Sequence, residues 1–332
     1  MKIALNSLGK KLGSSIDLFI CSSSFEDRCR AIPESLDPSA IKRTLICENQ
    51  DYESYAIHNT KKLIKHFGRR AHKIVLRTDN PLLVADNLQT ALSKALRLRP
   101  SLCVVDMTTF THEGLLILIR VLNQSGFSGD LRFVYAGAKD YSLNSSKSEK
   151  WLSKGIDNVR SVLGYPGVML PSKRLHLIVL VGFESERAEN LIEAYEPAAI
   201  SLGLGDEAAS VSRNHYATNA DFHQKVLSFV RSIATQNTTA HSFTFSCVDP
   251  FDAREALRKH ISKFPDYNTV VAPMNTKIST LGAALVALEN DCIQLCYAHA
   301  TQYNIASYSS PSNDCRMFDG REFLRRVPQG IR

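Results

Sequence analysis

The chain repeats itself, and this limits its possible folds more than any other property. VYAGAKDYSLNSS (Val134 to Ser146) returns as CYAHATQYNIASYSS (Cys296 to Ser310). Three further pairs recur in the same order. SSFEDRCRAIPESLDPSAI (Ser23 to Ile41) matches GFESERAENLIEAYEPAAI (Gly182 to Ile200), TDNPLLVADNL (Thr78 to Leu88) matches VDPFDAREAL (Val248 to Leu257), and VVDMTTFTHEGLLIL (Val104 to Leu118) matches VVAPMNTKISTLGAAL (Val270 to Leu285). The offset, taken at Pro38/Pro197, Val104/Val270 and Tyr135/Tyr297, stays between 159 and 166 residues. Such drift is what changes in loop length produce in a repeated structural unit. The pattern predicts a duplicated domain whose two lobes pack about a pseudo-twofold axis.

Within each half, short apolar runs alternate with longer amphipathic ones, the pattern of a parallel sheet with crossover helices. The fold class expected is α/β, with two tandem Rossmann-like lobes. Each would be a five-stranded, mainly parallel sheet with helices on both faces. The first lobe, 1–141, places strands at Ile16 to Cys21, Thr44 to Cys47, Lys73 to Arg77, Leu102 to Asp106 and Leu131 to Ala136, and its first helix at Glu26 to Leu36. A connector with one short helix is expected over 142–174, the second lobe over 175–318, and a basic tail over 319–332.

Composition narrows the class. With 332 residues, 44% of them hydrophobic, the chain can bury two ordinary cores. No run of about 18 apolar residues occurs and the first residues lack a signal-peptide pattern, so a cytoplasmic protein without membrane contact is expected. The eight cysteines form no CxxC pair and mostly sit in strand-like runs, where a free thiol packs as a small hydrophobe. Cys292, Cys296 and His299 lack a second close-set ligand pair, so no metal is expected. The formal charge is +7, concentrated at Lys61 to Lys73 and in the tail. A solvated helix face explains the first cluster, and a nucleic-acid contact is its alternative.

Chemistry is expected beyond the carboxyl ends of the strands, where loops open helices whose free N–H groups attract anions. The repeated motifs cluster there. After the first strand come Ser23, Ser24, Glu26 and Arg28, matched by Gly182, Glu184 and Arg187. After the third come Asp79 and Asp249. After the fourth come Asp106, Thr108, Thr109 and His112, matched by Asn275, Thr276 and Lys277, and the fifth delivers Lys139. Each has a structural alternative. Thr111, Ser279, Asp79 and Asp249 suit helix N-caps, and each Glu–Arg pair suits a structural ion pair at a helix start. GxGxxG and the P-loop signature are missing, which argues against a dinucleotide cofactor and P-loop hydrolysis; no cofactor is expected. A Ser-His-Asp hydrolase would need Ser22 to Ser24 with His112 and Asp106.

The fourth-strand turns, VVDMTTFTHEG and VVAPMNTKISTLG, resemble those of CRISPR-associated Rossmann-fold (CARF) sensor domains and their fused two-lobed relatives, the SAVED domains. There a strand ends in a polar residue and a Thr- and Gly-rich turn, often closing in Thr-Lys, that holds phosphates of a cyclic oligonucleotide. Asp106 with its threonines and Thr276-Lys277 carry the resemblance; the Gly-Gly is absent, and Pro273 and Asn275 stand where Gly is usual. The resemblance implies a two-lobed sensor of a phosphorylated nucleotide, held in a cleft between the lobes, in bacterial antiviral defence, working through a protein partner encoded nearby and open to homodimer formation. Two alternatives stand beside it. One is an enzyme acting on a nucleotide or nucleic acid through Asp106, Glu26 or Glu184 with His112, and the other is a scaffold subunit of a multiprotein complex.

Overall fold

A computed structural model describes residues 1–50, 53–77, 79–141, 153–233, 238–305 and 309–324, with the backbone alone at 53–55, 139–141 and 309–311. The chain forms two compact units. One comprises Met1–Asn144 with Ile305–Arg332, and the other Ser145–Asn304.

In the first unit the chain runs β1 (Lys2–Ala4), α1 (Leu8–Leu12), β2 (Leu18–Ser23), α2 (Ala31–Ser35), β3 (Thr44–Asn49), α3 (Glu53–Phe67), β4 (Ala71–Leu76), α4 (Pro81–Leu96), β5 (Leu102–Asp106), α5 (His112–Gln124) and β6 (Asp130–Tyr141). In the second it runs β7 (Ser153–Pro166), β8 (Arg174–Leu180), α6 (Ser185–Tyr195), β9 (Ala199–Gly205), α7 (Arg213–Ile233), β10 (Thr239–Phe245), α8 (Pro250–Ile261), β11 (Tyr267–Pro273), α9 (Lys277–Glu289) and β12 (Gln294–Tyr303). The final strand, β13 (Ser309–Asp319), returns to the first unit.

The architecture is mixed α/β and Rossmann-like, with two mostly parallel sheets. The first has seven strands in the order β1-β13-β6-β5-β2-β3-β4, and the second has six in the order β10-β9-β8-β11-β12-β7. Five strands in each are parallel and follow the doubly wound order. The central strands are buried on both faces and therefore read as continuous apolar runs, Leu18 to Cys21 and Leu177 to Leu180 being fully enclosed.

The expectation of five-stranded sheets is corrected by the antiparallel additions. β13 lies between β6 and β1, and β7 lies beside β12. Each unit thus receives a strand from outside the sequence block assigned to it. The expected connector contains β7, and no helix occurs among its described residues; Trp151 falls outside them. The tail expected from residue 319 begins as core. Phe323 is buried against Phe133, with ring centroids 5.0 Å apart, and its carbonyl accepts a bond from Asn123 Nδ2 at 2.8 Å. Residues 325–332 lie outside the described residues.

β7 and β13 also extend the repeat. Ser153 to Arg160, SKGIDNVR, aligns with Ser309 to Arg316, SSPSNDCR. Arg160 stands opposite Tyr297 and Arg316 opposite Tyr135; Ser153 stands opposite Tyr303 and Ser309 opposite Tyr141.

The helix expected over Glu26 to Leu36 is broken into a 3-10 turn, Asp27–Arg30, and α2. Pro33 lacks an N–H and its ring clashes with the preceding turn, so a helix tolerates it only in the first turn. α2 accordingly starts at Ala31, two residues before it.

Candidate functional site

In both sheets the strand order reverses beside the first parallel strand, between β2 and β5 and between β8 and β11. That switch point is where open α/β sheets hold ligands. In the first unit the two loops are laced together. Thr109 Oγ1 donates to the Ser22 carbonyl at 3.0 Å, Ser22 Oγ to the Thr109 carbonyl at 3.4 Å, and Asn49 Nδ2 to both Ser22 Oγ and that carbonyl at 3.2 Å. In the second unit Asn275 Nδ2 donates to the Val181 carbonyl at 2.6 Å and Thr276 Oγ1 to the Cys247 carbonyl at 3.0 Å. Gly182 permits this closure, because a Cβ there would lie 2.0 Å from the Met274 carbonyl oxygen.

The paired Glu and Arg residues form the same assembly twice. Arg28 donates to Glu26 Oε2 at 3.0 Å and to the Ala136 carbonyl at 3.2 Å, with its guanidinium 5.9 Å from the Tyr135 ring centre. Arg187 donates to Glu184 Oε2 at 2.7 Å and to the Ala298 carbonyl at 2.6 Å, 5.0 Å from the centre of Tyr297. All four charged side chains are less than a tenth exposed. Each arginine therefore ties the loop after the first parallel strand to the fifth, and the repeated Tyr-Ala motif supplies its ring and carbonyl. In the second unit Ser153 of β7 also donates to Glu184 Oε1.

Asp106 ends β5 in full burial. Its Oδ1 accepts from the Thr108 amide at 3.0 Å and from the Thr108 hydroxyl, which in turn accepts from the Ala136 amide at 3.0 Å. Burial pushes its carboxyl up to about 7, against the opposing pull of the Thr108 bonds and the Arg28 charge. Its counterpart in the other half is Ala272, so this titrating group belongs to one unit only.

The helix starts resolve several structural alternatives. Thr111 caps α5 through the Gly114 amide at 3.0 Å, and Asp249 caps α8 through Phe251 at 2.9 Å. α9 is capped by Thr276 rather than Ser279, and α4 by Asn80 rather than Asp79, which pairs with Arg77 at 2.7 Å. His112 and Lys277 hold the first helical positions of α5 and α9, the former buried and the latter half-buried. Ser23 Oγ bonds Thr60 Oγ1 at 2.6 Å, and the Ser24 carbonyl accepts from Asn59 Nδ2 at 2.9 Å. The Lys139 side chain and Thr78 lie outside the described residues.

Sequence reasoning missed Asn59 and its counterpart Asn219, both mid-helix. Asn219 Nδ2 donates to the Val181 carbonyl at 2.7 Å while its Oδ1 accepts from the Gly205 amide at 2.9 Å. Both hold the loop after the first parallel strand from the helix that follows the second, α3 or α7. Each shares its buried helix face with other polar side chains, Thr60 beside Asn59 and His215 and His223 beside Asn219, so the polar–apolar pattern does not single it out. Also missed was a buried group at the opposite ends of the strands in the second unit. Ser201 Oγ lies 2.7 Å from both His176 Nε2 and His260 Nε2. Burial pulls His176 down to about 3 and His260 to about 4. Arg254, six residues before His260, turns to Glu289 at 3.1 Å.

No family model and no curated protein matches the chain. Among solved structures it is similar to a UDP-GlcNAc 2-epimerase from Neisseria meningitidis, at 10% identity and TM-score 0.25 over 82% of this chain and 86% of that one. It is also similar to an A-type ketoreductase from a modular polyketide synthase, at 11% identity and TM-score 0.20 over 84% of this chain and 76% of that one. Similarity at this level carries nothing over to this chain.

Proposed function

We propose that the chain is a duplicated, two-lobed sensor or regulatory subunit that binds a phosphorylated nucleotide at the carboxyl ends of its parallel strands, in a prokaryotic antiviral defence system. The observation that carries this reading is the start of α9. Thr276 caps it, Lys277 occupies its first position, and Asn275 fixes the turn before it. A cation beside the first N–H groups of a thirteen-residue helix is suited to phosphate, through charge-assisted hydrogen bonds and the helix dipole. The resemblance of both fourth-strand turns to CARF and SAVED domains supports a cyclic oligonucleotide as the ligand. The engagement of Glu26, Arg28, Glu184 and Arg187 with one another and with carbonyls of the sheet favours binding over turnover. A sensor of this kind acts through a protein partner.

A thermal-shift series with nucleoside mono-, di- and triphosphates and cyclic oligonucleotides tests the reading. A cyclic oligonucleotide should raise the melting temperature, and Lys277→Ala should weaken its binding about tenfold, the worth of one charge-assisted bond. No shift with any of them argues against it.

Asp106 favours the second reading, an enzyme acting on a nucleotide. A buried carboxyl that titrates near neutrality meets the requirement for a general acid or base. Nucleotide turnover that Asp106→Asn abolishes, with binding retained, would select this reading over the first.

A further inference from the structure

The positive cluster on α3 and β4 has no structural duty that the fold demands, and the duplication supplies the control. From Lys61 to Arg77 the chain carries no Asp or Glu. Lys61, Lys62 and Lys65 lie exposed on the last turns of α3, Arg69 is exposed in the 3-10 turn Gly68–Arg70 that follows, and His72 and Lys73 are exposed on β4, the edge strand of the first sheet. Two neighbours are balanced, Lys73 by Glu48 at 3.0 Å and Arg77 by Asp79 at 2.7 Å. Lys61, Lys62, Lys65 and Arg69 form no ion pair among the described residues.

Cations at a helix C-terminus and lysines on an edge strand both have ordinary structural uses. The second half contains the same two elements in the same places, yet without the cluster. Asn59 and Asn219 set the alignment of α3 with α7, so Lys61 corresponds to Asp221 and Lys65 to Lys225. Beyond these, α7 adds Arg231 near its end, and the edge strand β10 carries His241 alone. A fold that closes its second sheet this way does not need the extra charge in its first.

We propose that this face of the first unit binds the phosphate backbone of a nucleic acid, independently of the small-ligand site above. Lys61 and Arg69 stand eight positions apart, about 12 Å at the helical rise, or the length of about three to four base-pair steps. Ile64 is the one large exposed apolar residue among these cations, whereas a protein interface of useful strength needs an apolar or aromatic centre. An array of charge without such a centre gives binding that depends on salt and ignores sequence.

The test is fluorescence anisotropy of the full chain with a labelled duplex of about 20 base pairs of arbitrary sequence. Neutralising about three phosphates predicts a log–log salt slope near −3 and a loss of roughly fifty-fold in affinity between about 50 and 200 mM salt. The triple variant Lys61→Ser, Lys65→Ser, Arg69→Ser should remove most of that slope and weaken binding at least tenfold, with an unchanged circular dichroism melt. The pair Lys225→Ser, Arg231→Ser should leave both intact. The proposal is overturned if no duplex binds at low salt or if the triple variant binds as the parent does. Equal weakening by the two variants would also overturn it, as would binding of polyglutamate or anionic vesicles without nucleic acid.

Discussion

Arg187 donates to Glu184 at 2.7 Å inside the second unit, and the same guanidinium reaches the Ala298 carbonyl at 2.6 Å. The Arg28–Glu26 pair and the Ala136 carbonyl repeat this in the first unit at 3.0 and 3.2 Å. Removing one member of a buried pair leaves the other charged and unmatched, which costs about 3–5 kcal/mol. Arg187→Met should therefore destabilise the second unit by that order in urea. Glu184→Leu combined with Arg187→Met should cost less than the single change. Arg187→Lys should not restore the loss, because an ammonium cannot serve the carboxylate and the carbonyl with a planar fork. Equal stability of Arg187→Lys and the parent would contradict the assignment.

Asp106 gives the first unit an unusual response to pH. Its carboxyl is raised to about 7, so between the unfolded value near 4 and pH 7 only the folded state holds the proton. Stability contributed by this group thus falls as pH rises from about 4 to about 7 and stays low above that. Asp106→Asn should melt higher than the parent at pH 8, by a few degrees, with the gap closing near pH 4. A gap that widens on acidification would refute the assignment.

The second unit should respond in the opposite sense. His176 and His260 are depressed to about 3 and 4 and are neutral when folded, whereas the unfolded chain protonates them below about 6.5. Their contribution is complete above that pH and is lost as pH falls toward 4. Hydrogen exchange followed separately in the two units should show the second loosening first between pH 7 and 5. Ser201→Ala, which strips both imidazoles of their Nε2 partner, should cost about 1–3 kcal/mol at pH 7.5.

β13 completes the first sheet by pairing with β6 and β1 at once. Ending the chain at Asn304 should expose β6 and β1 to hydrogen exchange and to protease while β8, β9 and β11 of the second unit keep their protection. Loss of protection in both units together would show that the strand serves more than its own sheet.

The parallel strands were legible because burial on both faces forces continuous apolar runs such as Leu102 to Val105. The Glu–Arg assemblies were legible as sequence pairs, although the carbonyls of Ala136 and Ala298 that complete them leave no mark on a sequence. β7 and β13 were not legible. Gly155 and Pro311 interrupt their strand character, and the residues that reveal the kinship, Ser153 with Ser309 and Arg160 with Arg316, gain meaning only from their places opposite the repeated tyrosines. Asn59, Asn219 and Ser201 act through contacts with residues distant in sequence, which periodicity does not report.

Nucleotide binding without turnover at the strand ends, as proposed, is tested by calorimetry with a cyclic oligonucleotide followed by chromatography of the same sample. The expected result is saturable heat, a weaker isotherm for Lys277→Ala, and ligand recovered unchanged. Absence of heat from folded protein, or recovery of the ligand as cleaved product, would contradict it.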